Sequence, residues 1–437
     1  MHNGLNRIWD PLYGLSELSP FESRFVFSPE VQRLRHVRLC NIDSLLIPGA
    51  SNVTRFEHAL GVLRLANEWI RTHEVAPEDA NDLRAAALIH DIQSGPFGHS
   101  IQYVFEDNHV GPGFSHEDLA GARERHYHQS TSANSSYAGS KFQVQALCGD
   151  RWDRVSQLIV GQGALGPLIS GAIDLDNIDN VIRLASHVGI CERTDGLHAL
   201  QLVRDIIPSS TGLVIPINAV PIVRKWQEIR KRLYEFLLLD WAEFSAKAML
   251  TRAFEDAVSL NKVGIDSWLL TDDELIQQFL NQVGDGQDIK EIARRLRLGQ
   301  LYSPVLLGRS NSINMYRTLN RNVVKRDVEK LIRKAAYQDR SGPQLLVHFI
   351  LDVKKTERAI RVGIRETSSP MVIGGDSRCL LIGVFASTQP TARELATLRR
   401  ESVRVLSEYG CAGIEPVDDP LIAPGTRDSQ LGFLNGL

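Results

Sequence analysis

Residues 55–70 read RFEHALGVLRLANEWI, and residues 78–92 read EDANDLRAAALIHDI. In the first stretch Phe56, Leu60, Leu63 and Leu65 or Ala66 recur at helical spacing, the signature of a helix with one apolar face. Thr54 and Glu57 fit the S/T-x-x-E pattern in which a hydroxyl caps a helix start, so the helix is predicted to begin at Thr54. In the second stretch, acids crowd the first turn and Gly95-Pro96 follows the end. Acids near a helix N-terminus oppose the macrodipole favourably, and proline cannot continue a helix. Two adjacent helices, carrying His58 and His90-Asp91, therefore set the class as mainly α.

Working outward, residues 174–188 form a third helical stretch and residues 220–260 a long fourth one. Residues 129–141, QSTSANSSYAGSK, are small and polar and predict a flexible loop. A turn around Pro208 leads into a short strand at Leu213–Ile217. Beyond about residue 300 the character changes. Leu345–Val353, Ala359–Ile364 and Cys379–Ala386 read as strands separated by turn residues. Thr391–Tyr409 reads as a helix, and the stretch after Pro416 as irregular. The expectation is an all-helical core over residues 1–260, followed by a helical plus α+β region over residues 261–437 that serves assembly or regulation.

Composition excludes several classes. The 437 residues carry 49 Lys plus Arg against 52 Asp plus Glu, a net charge of −3, which argues against a nucleic-acid coat or a polybasic membrane binder. The basic segments Arg321–Arg340 and Lys354–Arg365 interleave acids with bases, so nucleic acid is not an expected partner. Five cysteines, none in a CxxC pair, do not make a disulfide framework and suit a reducing compartment. The first residues hold no apolar stretch of a secretory leader, and no run of about 18 apolar residues occurs. A cytoplasmic location without membrane contact is expected.

Six of the 13 histidines fall between positions 90 and 128, and histidine is the commonest metal ligand. His58 on the first helix, His90 and Asp91 at the end of the second, and Asp176 at the start of the third can assemble one site. Adjacent helical residues point about 100° apart, so His90 and Asp91 can approach one ion from neighbouring directions. A mixed imidazole and carboxylate set suits Mn, Fe, Mg or Zn. Singly, each residue has a plainer reading: His58 and His90 as core histidines, Asp176 as a helix-start acid. On the third helix Asp176, Asp179 or Asn180, Arg183 and His187 share one face, a polar stripe whose apolar surroundings favour a pocket over solvent. Arg55, at the first helical position, can combine its guanidinium with free backbone N–H groups as an anion site.

Several motifs occur in order: Gln32-Arg33-Leu34-Arg35, Pro48-Gly49-Ala50-Ser51, Arg55-Phe56-Glu57-His58, His90-Asp91 and Gly95-Pro96-Phe97-Gly98-His99. Ser115-His116-Glu117, Asp174-Leu175-Asp176-Asn177-Ile178-Asp179 and His187-Val188-Gly189-Ile190 follow. The series resembles the HD-domain phosphohydrolases, specifically the deoxynucleoside triphosphate triphosphohydrolase branch, over residues 8–260. The resemblance implies a metal-dependent hydrolase that splits a dNTP into deoxynucleoside and triphosphate and works as a homo-oligomer. It implies a divalent ion on His58, His90, Asp91 and Asp176, a phosphate contact from Arg55, and His99 and His116 near the scissile phosphate as catalytic groups. His109, His126 and His128 match nothing and read as surface or loop residues.

The departures bear on substrate. The family pattern HDxGH is His90-Asp91-Ile92-Gln93-Ser94 here, so Ser94 replaces a histidine and cannot act as an acid at neutral pH. Leu39 stands where one branch reads the sugar, and Asn177 and Asn180 replace a Lys and a Tyr. Leu238-Leu239-Asp240-Trp241 replaces Y-x-H-K, and the Asp240 carboxylate would repel a triphosphate. Arg224, Lys225, Arg230, Lys231 and Arg232 could restore positive charge or simply form a solvated face. Ser94, Asn177 and Asn180 thus stand beside Arg55 as altered substrate contacts. Three functional readings follow: a nucleotide phosphohydrolase of the dNTPase type, a phosphatase or phosphodiesterase on a smaller or modified nucleotide, and a nucleotide-sensing module with an impaired site.

Overall fold

A computed structural model describes residues 6–40, 48–98, 102, 104–105, 119, 121–132, 135–192, 194–209, 212–338, 342–367 and 370–417. Helix α1 (Arg55–Thr72) starts where its cap predicts, with Thr54 Oγ1 accepting from the Glu57 backbone N–H at 3.2 Å. The Glu57 carboxylate does not complete a reciprocal box; it turns inward to Arg183 and His187. Helix α2 (Pro77–Ile89) opens on proline with Glu78 and Asp79 in its first turn. The remaining long helices are α3 (Ala122–Thr131), α4 (Leu175–His187), α5 (Asp195–Asp205), α6 (Val220–Leu239), α7 (Trp241–Ser259), α8 (Asp272–Leu280), α9 (Gln287–Arg297), α10 (Asn322–Tyr337) and α11 (Ala392–Glu408).

Helices α1, α2, α4 and α5 and the first part of α6 enclose the larger core around Leu65, Leu88, Ile178 and Leu233, all fully buried. Each such side chain contributes about 1.5–3 kcal/mol relative to exposure. A second core joins α7, α8 and α9 around Trp268 and Phe279, and a third lies between a sheet and α10 and α11.

That sheet has the order β10 (Glu415–Pro416), β5 (Ser303–Ser310), β9 (Arg378–Ala386), β6 (Leu345–Val353), antiparallel throughout. A smaller sheet runs β3 (Ile207–Ser209), β4 (Gly212–Ile215), β7 (Ile360–Ile364), β8 (Met371–Ile373), with β4 and β7 parallel through Val214↔Gly363 and Ile215↔Ile364. Ile360, Val362 and Ile364 pack into the same core as α1 and α4. A hairpin of β1 (Arg7–Asp10) and β2 (Gly14–Glu17) precedes the helices. The class is therefore mainly α with an α+β C-terminal region, as the sequence implies.

Three expectations need correction. The stretch 220–260 is two helices: Asp240 has extended backbone (φ −62°, ψ 127°) and caps α7, its Oδ1 accepting from the Glu243 N–H at 2.8 Å. Its fully buried carboxylate thus has a local backbone role. The polar stretch 129–141 is not one loop, because residues 129–131 finish α3 and Gln129 is buried, its Nε2 donating to Leu269 O. His126 is buried rather than exposed, with Nε2 3.2 Å from Ser140 O and its ring 5.4 Å from Phe142. Residues 109 and 418–437 lie outside the described residues.

Candidate metal centre

Where α1, the end of α2 and the start of α4 meet, His58, His90 and Asp176 bring ligand atoms within 4.8 Å of one another. His58 Nε2 lies 3.3 Å from His90 Nε2 and 2.9 Å from Asp176 Oδ1. Asp91 Oδ2 is 4.0 Å from His58 Nε2 and 3.7 Å from His90 Nε2. Three of the four side chains expected as ligands, His58, His90 and Asp176, thus converge on one point, and Asp91 lies beside the two histidines.

Each histidine is held from behind. His90 Nδ1–H donates to Ala87 O at 2.9 Å, and His58 Nδ1–H donates to Asp179 Oδ2 at 2.8 Å. Both rings therefore turn Nε2 toward the same space, the tautomer choice that second-sphere acceptors impose on metal-ligating histidines. Two Nε2 atoms 3.3 Å apart with two carboxylates beside them form a donor set that fits a divalent cation of the N/O type.

The supports extend further. Arg183 grips Asp179 through Nε to Oδ2 and Nη2 to Oδ1, both 2.9 Å. It also reaches Glu57 Oε1 at 2.7 Å and Asp10 Oδ2 at 2.8 Å, while His187 Nε2 sits 3.0 Å from Glu57 Oε1. The stripe on α4 accordingly faces α1 and the metal centre, with Asp179 and Arg183 fully buried. Asp91 Oδ1 accepts from Arg55 Nη1 at 2.6 Å and from Ser94 Oγ at 2.9 Å, which leaves Oδ2 on the side of the histidines. Arg33 donates to Ile92 O and Ser94 O, and Trp268 Nε1 donates to Gln93 O, so the turn after Asp91 is fastened from two sides. At Gly49 a Cβ would come 2.1 Å from His187 O, so only glycine lets this segment lie against the end of α4.

The electrostatics follow from crowding. Burial would lower the His58 pKa, but Asp176 and Asp179 outweigh it and raise it to about 10. Burial opposes ionisation of Asp179, yet Arg183 and His58 bring it down to about 2. Burial and the nearby Asp176 charge push Asp174 up to about 7. Without a cation the carboxylates hold a proton on His58, where a divalent ion would take its place.

The altered positions are arranged as follows. Asn177 Nδ2 lies 3.0 Å from both oxygens of Asp174, the cap of α4. Asn180 Oδ1 is buried with no hydrogen-bond partner. Leu39 is part of the larger core. Lys225 pairs with Asp195, Lys231 with Glu357, and Arg230 is buried against Thr356 O and Lys354 O. His99 and His116 lie outside the described residues. Asp10 and Arg33 escaped the sequence reading as site residues, and Asp179 entered it only as one option in the pocket-facing stripe of the third helix, by its i, i+3 spacing from Asp176.

Comparison with known proteins agrees with this geometry. The HD domain family matches residues 55–132. The chain is 38% identical over 103 residues to deoxynucleoside triphosphate triphosphohydrolase SAMHD1 of Danio rerio, covering 22% of this chain and 16% of that protein. The human SAMHD1 is 35% identical over 103 residues, covering the same shares. Uncharacterized protein MJ1154 of Methanocaldococcus jannaschii is 27% identical over 168 residues, 38% of this chain and 31% of that protein. The match thus spans about a sixth of the SAMHD1 proteins. Residues 55–132 match the HD domain family, and over about a fifth of its length this chain is similar to the deoxynucleoside triphosphate triphosphohydrolases SAMHD1.

Proposed function

We propose that the chain is a metal-dependent phosphohydrolase acting on nucleotides. The convergence of His58, His90 and Asp176, with both Nε2 atoms turned to one point and Asp91 Oδ2 3.7 Å from His90 Nε2, carries this reading. A divalent Mn, Fe, Mg or Zn ion held by these four residues would polarise a phosphoryl oxygen and supply an activated water. Asp179 and Ala87 fix the histidine tautomers, while Arg55 and Ser94 hold Asp91. Arg55 Nε is buried without a partner and is assigned to the substrate phosphate, the charge-assisted contact a guanidinium suits. Asn180 is assigned to a polar group of the substrate, since its buried Oδ1 has no partner in the protein. Asn177, beside it on α4, is assigned to the same pocket. His99 and His116 are assigned to proton transfer at the leaving oxygen.

The finer reading is a dNTPase-like reaction, dNTP to deoxynucleoside and triphosphate, with altered phosphate and sugar contacts. It is supported by the kinship to SAMHD1 over 103 residues. A homo-oligomeric state belongs to the same proposal. Among the described residues no helix is long and apolar enough to cross a membrane.

The test uses the full chain loaded separately with each metal. It is screened against dNTPs, nucleoside mono- and diphosphates and cyclic dinucleotides, with ion-exchange analysis of products. Triphosphate release supports the finer reading; single phosphate or opened diester supports the smaller-substrate alternative. No turnover with any metal overturns the enzyme reading, and turnover that survives Asp176→Asn overturns the placement of the reaction at this metal centre. One observation favours a second reading, a nucleotide-sensing module: Ser94 Oγ is spent on Asp91 and offers no acid. That reading requires saturable nucleotide binding without product in a single-turnover assay.

A further inference from the structure

A second cluster of cations lies away from the metal centre, where α7 crosses β6 and the start of the β6–β7 connection. Lys247, Thr251, Glu255, Asn320, His348 and Lys355 line a cavity of ≈ 30 Å³. None of the four metal-centre residues lines it. Its walls are unusual in their balance of charge. Glu255 is neutralised by an ion pair with Lys325. Asp352, behind Lys355, is taken up by Thr356 Oγ1, Ser377 Oγ and the backbone N–H groups of Lys355 and Thr356. Lys247 makes no ion pair or hydrogen bond among the described residues. His348 is 5% exposed, and its Nε2 is buried with no hydrogen-bond partner.

Leaving a buried ring nitrogen and a half-buried ammonium group without partners costs stability. A ligand that carries negative charge and several acceptor oxygens would satisfy both. We propose that this cavity is an anion site for a phosphate group, with Lys247 Nζ and the His348 ring as its donors. The small volume selects a compact tetrahedral group, either free phosphate or the terminal phosphoryl of a nucleotide or polyphosphate, and excludes a base or sugar. Burial beside Lys355 already brings the Lys247 ammonium down to about 7, and burial among cations holds His348 well below its ordinary value. An entering anion reverses both, so binding takes up protons. This site does not depend on the catalytic reading above.

The experiment measures the thermal midpoint of the full-length protein during titration with inorganic phosphate in EDTA, for the parent, Asp176→Asn, Lys247→Met and His348→Leu. Tripolyphosphate and a dNTP are run as parallel arms. The expected result is a concentration-dependent rise that Asp176→Asn retains and that Lys247→Met weakens by roughly tenfold in apparent Kd, the loss of one charged hydrogen bond. In phosphate-free buffer Lys247→Met is expected to be at least as stable as the parent, because it removes an unpaired, half-buried charge. A stronger response to tripolyphosphate or dNTP than to phosphate identifies a terminal phosphoryl as the ligand, and an equal response identifies free phosphate. A response absent from the parent, lost in Asp176→Asn, or unchanged in Lys247→Met overturns the proposal. So does a Lys247→Met protein less stable than the parent without phosphate, since the ammonium would then be a structural partner.

Discussion

Gly61 lies on α1 one turn beyond His58, facing the fully buried pair Asp179 and Arg183. A Cβ built there would stand 2.1 Å from Asp179 Oδ1 and 2.2 Å from Arg183 Nη2. Non-bonded carbon and polar atoms settle near 3.5 Å, so Gly61→Ala demands a shift of about 1 Å or more in a pair whose present hydrogen bonds are 2.9 Å. That shift cannot be absorbed cheaply, because Arg183 is also anchored to Glu57 and Asp10. Helix propensity alone makes alanine better than glycine by about 1 kcal/mol, so the sign of the effect is diagnostic. Disrupting a buried ion pair costs about 3–5 kcal/mol, which outweighs propensity and should lower Tm by about 2–5 °C in a chain of this length. Since Asp179 orients His58, bound metal should fall as well. Scanning calorimetry and elemental analysis of Gly61→Ala, with or without added metal, read both effects. A variant with parental Tm and full metal occupancy would refute the reasoning, because the Asp179–Arg183 pair would then have room to spare.

Asp179→Asn keeps the shape but weakens the acceptor behind His58, so metal affinity should fall by about 10–100-fold, measured by competition with a chelator. In the metal-free protein the His58 pKa is raised to about 10; its stabilising charge pairs are fully present below the unfolded value of about 6.5. They are lost as pH rises through about 10, so the metal-free Tm should decline from near neutral pH upward. Metal affinity should rise over the same window, since the ion must displace that proton; equilibrium dialysis checks this. Asp240→Ala should cost about 1 kcal/mol through loss of the α7 cap and leave substrate KM unchanged, as read by denaturant unfolding and kinetics. A lower KM would mean that Asp240 repels substrate.

Local patterns were legible because local interactions decide them. The Thr54 hydroxyl ends one segment and starts α1, and the Thr391–Glu394 box does the same for α11. Residues 345–353 alternate too little for an exposed strand, and β6 is indeed buried on both faces until its last residues. The four candidate ligands were also legible, as ordered motifs. Strand β5 was not: Ser303-Pro304 and Gly308 dilute its apolar pattern, and its place is set by nine-residue partner β9. The break at Asp240 was hidden because apolar spacing continues through Leu237, Leu238 and Leu239 into α7.

From sequence alone came the helical class, the helix carrying His58, the His90-Asp91 pair at the end of the next, and Asp176 opening a third. These depend on spacing within a few residues and on hydrogen bonds that close locally. The tertiary structure alone decided that the two Nε2 atoms meet at 3.3 Å, that Asp179 and Arg183 stand behind them, and that Gly61 is the space they occupy. It also decided that β7 returns across about 150 positions to pair with β4, and that Lys247 and His348 share one cavity. Such contacts join residues far apart in the chain, and their energies arise only when packing has excluded water from between them.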